Sequence, residues 1–175
     1  MNQKHYSYII ISLACIILLS ACGYKTGNTR THELRKVGTL AIPLFSNSSF
    51  EAGAGDIFTE AARRVFALRG GFKLKQEGSA SYILKGHVLS SDSRTEALKN
   101  RTGNTRSGVF SQTVAIELRL EDSSGSLIKE CRIVDKADAL GGEYPTDVAH
   151  NRNVALQVLA EDMMQRAYNE IFEGF

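Results

Sequence analysis

The sequence predicts an α+β fold in which two amphipathic helices pack on one face of a small, mostly antiparallel four-stranded sheet. Three observations predict it: two segments with a helical apolar period, one long segment of alternating apolar and polar residues, and a turn sequence directly after that segment. Apolar helix stripes and an apolar sheet face are buried most simply against each other. The order of segments is a strand, a helix, three or four strands and a helix.

The first helical segment comes directly after Asp56. Its apolar residues recur at three- and four-residue spacing, which is typical of a helix with one buried face. They are Ile57, Phe58, Ala61, Ala62, Val65, Phe66 and Leu68. Asp56 is expected to cap this helix by accepting from unpaired backbone amides, and Gly70 and Gly71 are expected to end it.

The second helical segment occupies the end of the chain, after Pro145, and Thr146 is its expected cap. One continuous apolar stripe follows, which favours a helix buried along one side over a membrane or cofactor surface. The stripe comprises Leu156, Leu159, Ala160, Met163, Met164, Ala167, Tyr168, Ile171 and Phe172.

The clearest strand signal lies in residues 109–122, where apolar and polar residues alternate. One face of that strand should be buried and the other should face water. Its apolar positions are Phe110, Val114, Ile116, Leu118 and Leu120. Residues 122–126, Asp-Ser-Ser-Gly-Ser, are typical of a hairpin turn, so residues 127–137 should return antiparallel. Further short strands are predicted at residues 37–45, 72–75 and 82–89.

The first 21 residues are predicted to be an export signal. Lys4 precedes an apolar run at residues 9–19, which is shorter than the roughly 20 residues that a membrane-spanning helix needs. Residues 19–22, Leu-Ser-Ala-Cys, resemble the lipobox of bacterial lipoproteins. That resemblance implies cleavage before Cys22 and a lipid anchor, palmitate included, on this cysteine; two or more acyl chains hold a protein firmly on a membrane. Gly23, where aspartate would favour the inner membrane, indicates the outer membrane.

The predicted organisation is therefore a lipoprotein signal peptide at residues 1–21, a lipidated polar tether at residues 22–36 and a single α+β domain at residues 37–175. A formal net charge of +2 lacks the concentrated basic excess of a nucleic-acid binder. Of the three cysteines, Cys131 alone remains as a free thiol in the mature chain, so no internal disulfide is expected. Its strand-like surroundings favour a small buried hydrophobe over a reactive thiol.

No spacing typical of a catalytic or metal site occurs, so no catalytic residue, metal ligand or cofactor is predicted. His32, His87 and His150 are scattered, without the pairing of zinc ligands. A Gly-x-Ser-x-Gly elbow is also missing from the sequence. A hydrolase would be favoured only if His87 or His150 converged with a carboxylate in a pocket.

A polar segment at residues 90–108 joins two predicted strands and is much longer than a usual hairpin loop. Its cations are Arg94, Lys99, Arg101 and Arg106, against the anions Asp92 and Glu96. One interpretation is a mobile, solvated loop. The other is a contact site for a polyanion, because arginine pairs with phosphate through two hydrogen bonds.

Several short motifs occur in a particular order. Residues 22–24 read Cys-Gly-Tyr, residues 40–53 read Leu-Ala-Ile-Pro-Leu-Phe-Ser-Asn-Ser-Ser-Phe-Glu-Ala-Gly, and residues 84–88 read Leu-Lys-Gly-His-Val. With the alanine-rich closing helix, this series resembles the lipopolysaccharide-assembly lipoprotein family, LptE. Ser49 stands where that family usually has threonine, and Asp56 where glutamate is common.

The resemblance implies a two-helix, four-stranded α+β fold on the periplasmic side of the outer membrane. It also implies two partners: lipopolysaccharide, and the large LptD-like β-barrel that inserts it and that family members plug and help to assemble. On this interpretation the four cations of residues 90–108 face lipid A phosphates or acidic barrel residues. The alternative is a free-standing, periplasm-facing lipoprotein that binds a small ligand or a cell-wall glycan.

Overall fold

The computed structural model describes residues 38–69, 72–99, 105–140 and 145–173, without the side chains of 95–99, 105–109, 139–140 and 145–148. The elements are β1 Thr39–Ala41, β2 Ser46–Asn47, α1 Ala54–Arg69, β3 Lys73–Leu74, a 3-10 turn Glu77–Ser79, β4 Tyr82–Lys99, β5 Thr105–Asp122, β6 Leu127–Leu140 and α2 Pro145–Tyr168, which continues as a π-helical turn Asn169–Glu173. The predicted signal peptide and tether, Cys22 included, lie outside the described residues. Within the described ranges, no helix is long and apolar enough to cross a membrane.

The strands form one mixed sheet of six strands in the order β3-β1-β4-β5-β6, with β2 also pairing with β4. The α+β class and the two helices are confirmed, but the prediction of four mostly antiparallel strands is wrong. β1, β2 and β3 all pair in parallel, because helix α1 carries the chain back before β3 and β4 begin. Pro43, which has no N–H to give to a ladder, lies in the gap that separates β1 from β2.

Strands β4 and β5 form one long antiparallel ladder, from Tyr82 opposite Asp122 to Lys99 opposite Thr105. The predicted loop at residues 90–108 is therefore wrong, since most of it belongs to these two strands. Register shifts occur next to Val88 and Glu96. Polar residues occupy both faces of this stretch, so no alternation marks it as a strand in the sequence.

The core lies between the helices and one face of the sheet. The whole predicted stripe of α2 is buried, as are the five apolar positions of β5 and Cys131, so these predictions are confirmed. Two details of α1 differ. The helix begins at Ala54, so Asp56 lies inside its first turn, where its negative charge interacts favourably with the helix dipole. Leu68, at the edge of the predicted stripe, is 82% exposed. Gly70, Gly71 and the side chain of Thr146 lie outside the described residues.

The two helices run in the same direction along the sheet. The guanidinium of Arg64 pairs with Glu161, and Arg69 Nη1 donates to Asn169 Oδ1 at 2.9 Å. The ring centroids of Phe66 and Tyr168 lie 5.3 Å apart in an edge-to-face contact. Both helices therefore start at the end of the molecule where β4 and β5 extend beyond β2, which we call the hairpin end.

Candidate functional site

The segment between β1 and β2 joins two of the sequence motifs. The ring of Phe45 is buried against Gly86 of β4, where a Cβ atom would lie 2.4 Å from Phe45 Cδ2. The Phe45 amide donates to Thr59 Oγ1 at 2.9 Å, and that hydroxyl donates to the Gly55 carbonyl at 2.6 Å. The Ile-Pro-Leu-Phe and Leu-Lys-Gly motifs thus form one packed contact with the start of α1.

The loop between β2 and α1 is organised by Asn47. Its Nδ2 donates to the Glu51 carbonyl at 2.8 Å, and its Oδ1 accepts from the Ser49 amide at 2.9 Å and the Ser49 hydroxyl at 2.6 Å. Ser49 keeps the hydroxyl that threonine would supply at this position. Gly53 has a φ of 80°, a conformation that favours glycine, directly before α1. The family-like residues of this loop therefore build its geometry.

A cluster of polar side chains connects this loop to α2 and the sheet. The Glu51 carboxylate forms an ion pair with Arg152, and the two side chains are 16% and 35% exposed. Gln112 Nε2 donates to Ser91 Oγ at 2.8 Å and lies 3.4 Å from Glu51 Oε2. Arg152 Cζ also lies 5.5 Å from the ring centroid of Phe110, a cation–π distance.

Gln112 is completely buried on the apolar face of β5. Among the described residues, its Oε1 and the Nε of Arg152 have no hydrogen-bond partner. This cluster was not predicted from the sequence. The two-residue period of the strand places Gln112 on the same face as Phe110 and Val114, so its burial could have been predicted. Nothing in the sequence pairs Glu51 with Arg152.

The opposite face of β4, β5 and β6 is not covered by the helices and carries both signs of charge. The register aligns Lys85, Arg119 and Glu130 in one row and His87, Glu117 and Arg132 in the next. Residues directly opposite each other in an antiparallel ladder share a face, so Arg119 neighbours Glu130 and Glu117 neighbours Arg132, while Lys85 stands opposite a second cation, Arg119. Lys85 Nζ also lies 2.7 Å from Glu121 Oε2. We call this surface the open face.

The open face continues toward the hairpin end with further polar contacts. A hydrogen bond from the Ser111 side chain, and then the nearby Lys136, hold the pKa of Asp138 below its usual value. Lys136 Nζ lies 3.4 Å from Asp138 Oδ1. Val134, which pairs with Ala115, is a more exposed apolar exception on this face. The surface is therefore mainly polar along its length.

Three of the four predicted contact cations have their backbones at the hairpin end. Arg94 is exposed in β4, opposite Ser111. Lys99 and Arg106 occupy β4 and β5 near the end of the ladder, opposite Thr105 and Leu98. Arg101 lies outside the described residues. The fold therefore brings the backbones of three of these cations to one end of the molecule, in strands instead of a loop.

His87 has a hydroxyl partner. Ser48 Oγ lies 2.7 Å from His87 Nε2, and the Ser48 amide donates to the Val88 carbonyl at 2.9 Å. Glu117 stands opposite His87 in the ladder. The described surface has a groove beside Pro43 and another between the helices, and neither His87 nor His150 lines either of them. In these two grooves, therefore, no histidine converges with a carboxylate as a hydrolase would require.

Two open grooves occur on the described surface. The first, of about 530 Å³, is lined by Ala41, Ile42, Pro43, Arg63, Leu74, Lys75, Gln76 and Glu77. The second, of about 310 Å³, lies between the helices and is lined by Asp56, Ile57, Glu60, Ala61, Arg64, Gln157 and Glu161. In the first groove, Arg63 Nε and Nη2 donate to the Ile42 carbonyl at 3.1 and 2.9 Å, and Arg63 Nη1 donates to Glu60 Oε1.

Within the described residues, no three His, Cys, Asp or Glu side chains are grouped to hold a metal ion. Cys131 is buried, and burial, followed by the negative charge of Glu170, raises the pKa of its thiol to about 12. A thiol with this pKa is inert at neutral pH.

The fold is similar to that of several solved bacterial proteins. A protein assigned as a lipoprotein from Caulobacter crescentus CB15 is 13% identical over 83% of this chain and 96% of its own, with a TM-score of 0.53. The PelC dodecamer protein of Paraburkholderia phytofirmans (15% identity, 77% and 86% coverage) and a neuraminyllactose-binding hemagglutinin homolog of Helicobacter pylori (12%, 79% and 88%) each give a TM-score of 0.50. At this identity the likeness shows the fold alone.

The family itself is shown by the sequence model of the lipopolysaccharide-assembly family, LptE, which matches residues 37–173. The chain belongs to this family. No curated protein matches the sequence significantly.

Proposed function

We propose that this chain is the lipid-anchored plug subunit of the lipopolysaccharide translocon, seated in an LptD-like β-barrel of the outer membrane, and that it acts without catalysis. The observation that carries the proposal is the open face. A sheet face left uncovered in a small domain would be expected to meet water or a partner, and the lumen of large outer-membrane barrels is polar. Exposed side chains of both charges suit such a wall.

The anchor supports the same role. Lipidation at Cys22 fastens the chain to the outer membrane from the periplasmic side, and residues 22–36 link the lipid to the domain that starts near Thr39. Tethering raises the effective concentration of the domain at a barrel in the same membrane.

Direct contact with lipopolysaccharide is assigned to the hairpin end. The cations proposed for this contact are Arg94, Lys99, Arg101 and Arg106, of which Arg101 lies outside the described residues. Lipid A carries phosphates, and guanidinium groups pair with phosphate at two points. Acidic residues of the barrel are the other groups these cations can meet.

The test is co-purification. A C-terminally tagged full chain is extracted from outer membranes in mild detergent, and the large β-barrel protein recovered with it is identified by mass. The expected result is recovery of an LptD-like barrel with the wild-type chain. Extraction of the chain alone, with normal surface lipopolysaccharide in cells that lack it, would overturn the proposal.

The free-standing ligand binder is the second candidate. Its best feature is the groove of about 530 Å³ beside Pro43. The donors of Arg63 in that groove are already used by the Ile42 carbonyl and Glu60, so recognition of a ligand there would fall to Lys75, Gln76 and Glu77. Recovery of the chain without a barrel, but with a bound glycan, would favour this candidate.

A further inference from the structure

The two edges of the sheet differ in length. At one edge, β3 has only the residues Lys73–Leu74, and a 3-10 turn follows it. At the other edge, β6 runs for 14 residues and, among the described residues, pairs with β5 alone. An edge strand turns about half of its backbone N–H and C=O groups away from its neighbour, so another strand can pair with it.

Most of the features that protect an edge strand are missing from β6. Natural edges are usually kept short or are interrupted by proline or by bulges. β6 is long and contains no proline, and its ladder with β5 has a single register shift, near its start between Leu120 and Glu121. From Lys129 to Leu140 the pairing is regular, so this part of the edge is continuous.

Charge is the remaining protection, and on β6 its effect depends on the register of pairing. Glu130, Arg132, Val134 and Lys136 are exposed along the open face. Two antiparallel registers would bring nearly the whole strand against the same strand of a second copy. The two-fold axis passes through Val134 in the first register and through Ile133 in the second.

The two registers place different charges opposite each other. In the first, Glu130 would face Asp138 and Arg132 would face Lys136, so every such pair has like charges. In the second, Glu130 faces Lys136 at two symmetry-related places, because each lies three residues from Ile133. Opposite charges stabilise a ladder and like charges destabilise it. β6 is therefore complementary to itself in the second register.

We propose that β6 pairs antiparallel with β6 of a second copy of this chain, in the register centred on Ile133, so that the two sheets join. Backbone hydrogen bonds hold the strands together, and the two Glu130–Lys136 pairs select the register. Pairing also covers an edge that is otherwise open to aggregation. The inference concerns chains outside a barrel and does not rest on the proposed function.

Cysteines placed across the pair test the register. In membranes from cells that overproduce the full chain, Glu130→Cys combined with Lys136→Cys should give a disulfide-linked dimer on mild oxidation. Within one chain these positions are six residues apart on a strand, about 20 Å, which is too far for a disulfide. The matched control combines Glu130→Cys with Asp138→Cys, which would link only in the rejected register and should give no dimer.

Charge exchange tests the energetic argument. The dissociation constant of the dimer is measured by sedimentation of the full chain in mild detergent. Glu130→Lys or Lys136→Glu alone should raise it by about tenfold, because two attractive pairs become repulsive. The double variant restores opposite charges and should lie within about twofold of wild type. A purely structural effect of either single change would persist in the double variant.

Three outcomes would overturn the inference. One is a wild-type chain that stays monomeric at micromolar concentration. Another is linkage of the control cysteines as readily as the test pair, or a double variant that associates as weakly as the single ones. The third is amide exchange in β6 that slows only when a β-barrel protein is bound, which would assign this edge to the barrel.

Discussion

The ring of Phe45 packs directly on Gly86. A Cβ atom on Gly86 would lie 2.4 Å from Cδ2 of that ring and 2.5 Å from Cγ and Cε2. Glycine inside a strand often marks a place where another group comes unusually close. Two motifs that are remote in the sequence thus form one contact, which holds the segment before the loop between β2 and α1 on the sheet.

Replacing Gly86 with alanine should therefore destabilise the protein. The buried Phe45 ring has to move, and overpacking of this kind costs about 1–3 kcal/mol. The free energy of unfolding is measured by urea denaturation. Gly78→Ala is the control, because a Cβ there meets nothing within 4 Å, and it should change stability by less than about 0.5 kcal/mol. Equal unfolding midpoints for Gly86→Ala and wild type would show that the contact is not tight.

Replacing Glu51 with glutamine should cost more stability than the same change at Glu60. Glu51 is mostly buried against Arg152, and loss of its charge leaves that guanidinium and Gln112 poorly paired, at a cost of about 1–3 kcal/mol. Glu60 pairs with Arg63 at an exposed site, where such pairs contribute about 0–1 kcal/mol. Both variants are measured by denaturation at pH 7, and similar losses would contradict the assigned role of the cluster.

The Cys131 thiol should be unreactive toward Ellman's reagent in the folded protein at pH 8 and should react after unfolding in urea. Burial raises its pKa from 9.0 to about 12. A raised pKa means that the unfolded thiol ionises first, so this stabilising contribution is complete below pH 9 and is lost as the pH rises toward 12. The stability advantage of wild type over Cys131→Ala should therefore shrink between pH 8 and pH 11. An advantage that stays constant would contradict this.

Removing the hairpin-end cations should weaken lipopolysaccharide binding and reduce its salt dependence. The variant replaces Arg94, Lys99, Arg101 and Arg106 with serine. A control with the same loss of charge replaces Lys73, Lys75, Arg119 and Lys129, which are all exposed toward the other end of the sheet. Binding is measured at two ionic strengths, because charge-assisted contacts are screened by salt. If both variants bind as wild type does, the cations do not contact lipopolysaccharide, although the plug role still stands.

The elements that were predicted correctly share one property: their signal is local. The stripe from Leu156 to Phe172 repeats with the helical period, and the alternation from Val114 to Leu120 repeats with the period of a strand. The turn after β5 is also local, since Asp122 Oδ1 accepts from the Ser124 and Ser126 amides and Gly125 has a φ of 85°. Each can be recognised from neighbours a few residues away.

The hairpin end was predicted less well, for a physical reason. Residues 90–99 and 105–108 pair as strands through backbone hydrogen bonds, which nearly every residue type permits. Because polar residues occur on both sides of this stretch, neither strand shows the alternation that a half-buried strand displays. The cations were found by composition, but their arrangement in two paired strands was not.

The sequence by itself determined the two helices, the β5–β6 hairpin, the burial of Cys131 and the membership of the LptE family, because each depends on apolar spacing, turn chemistry or motif order along the chain. Only the tertiary structure decided the parallel pairing of β1, β2 and β3, the contact of Phe45 with Gly86, and the burial of Gln112 beside Glu51 and Arg152. These relationships join residues that are distant in sequence, so they exist only after the folded chain has brought those residues together.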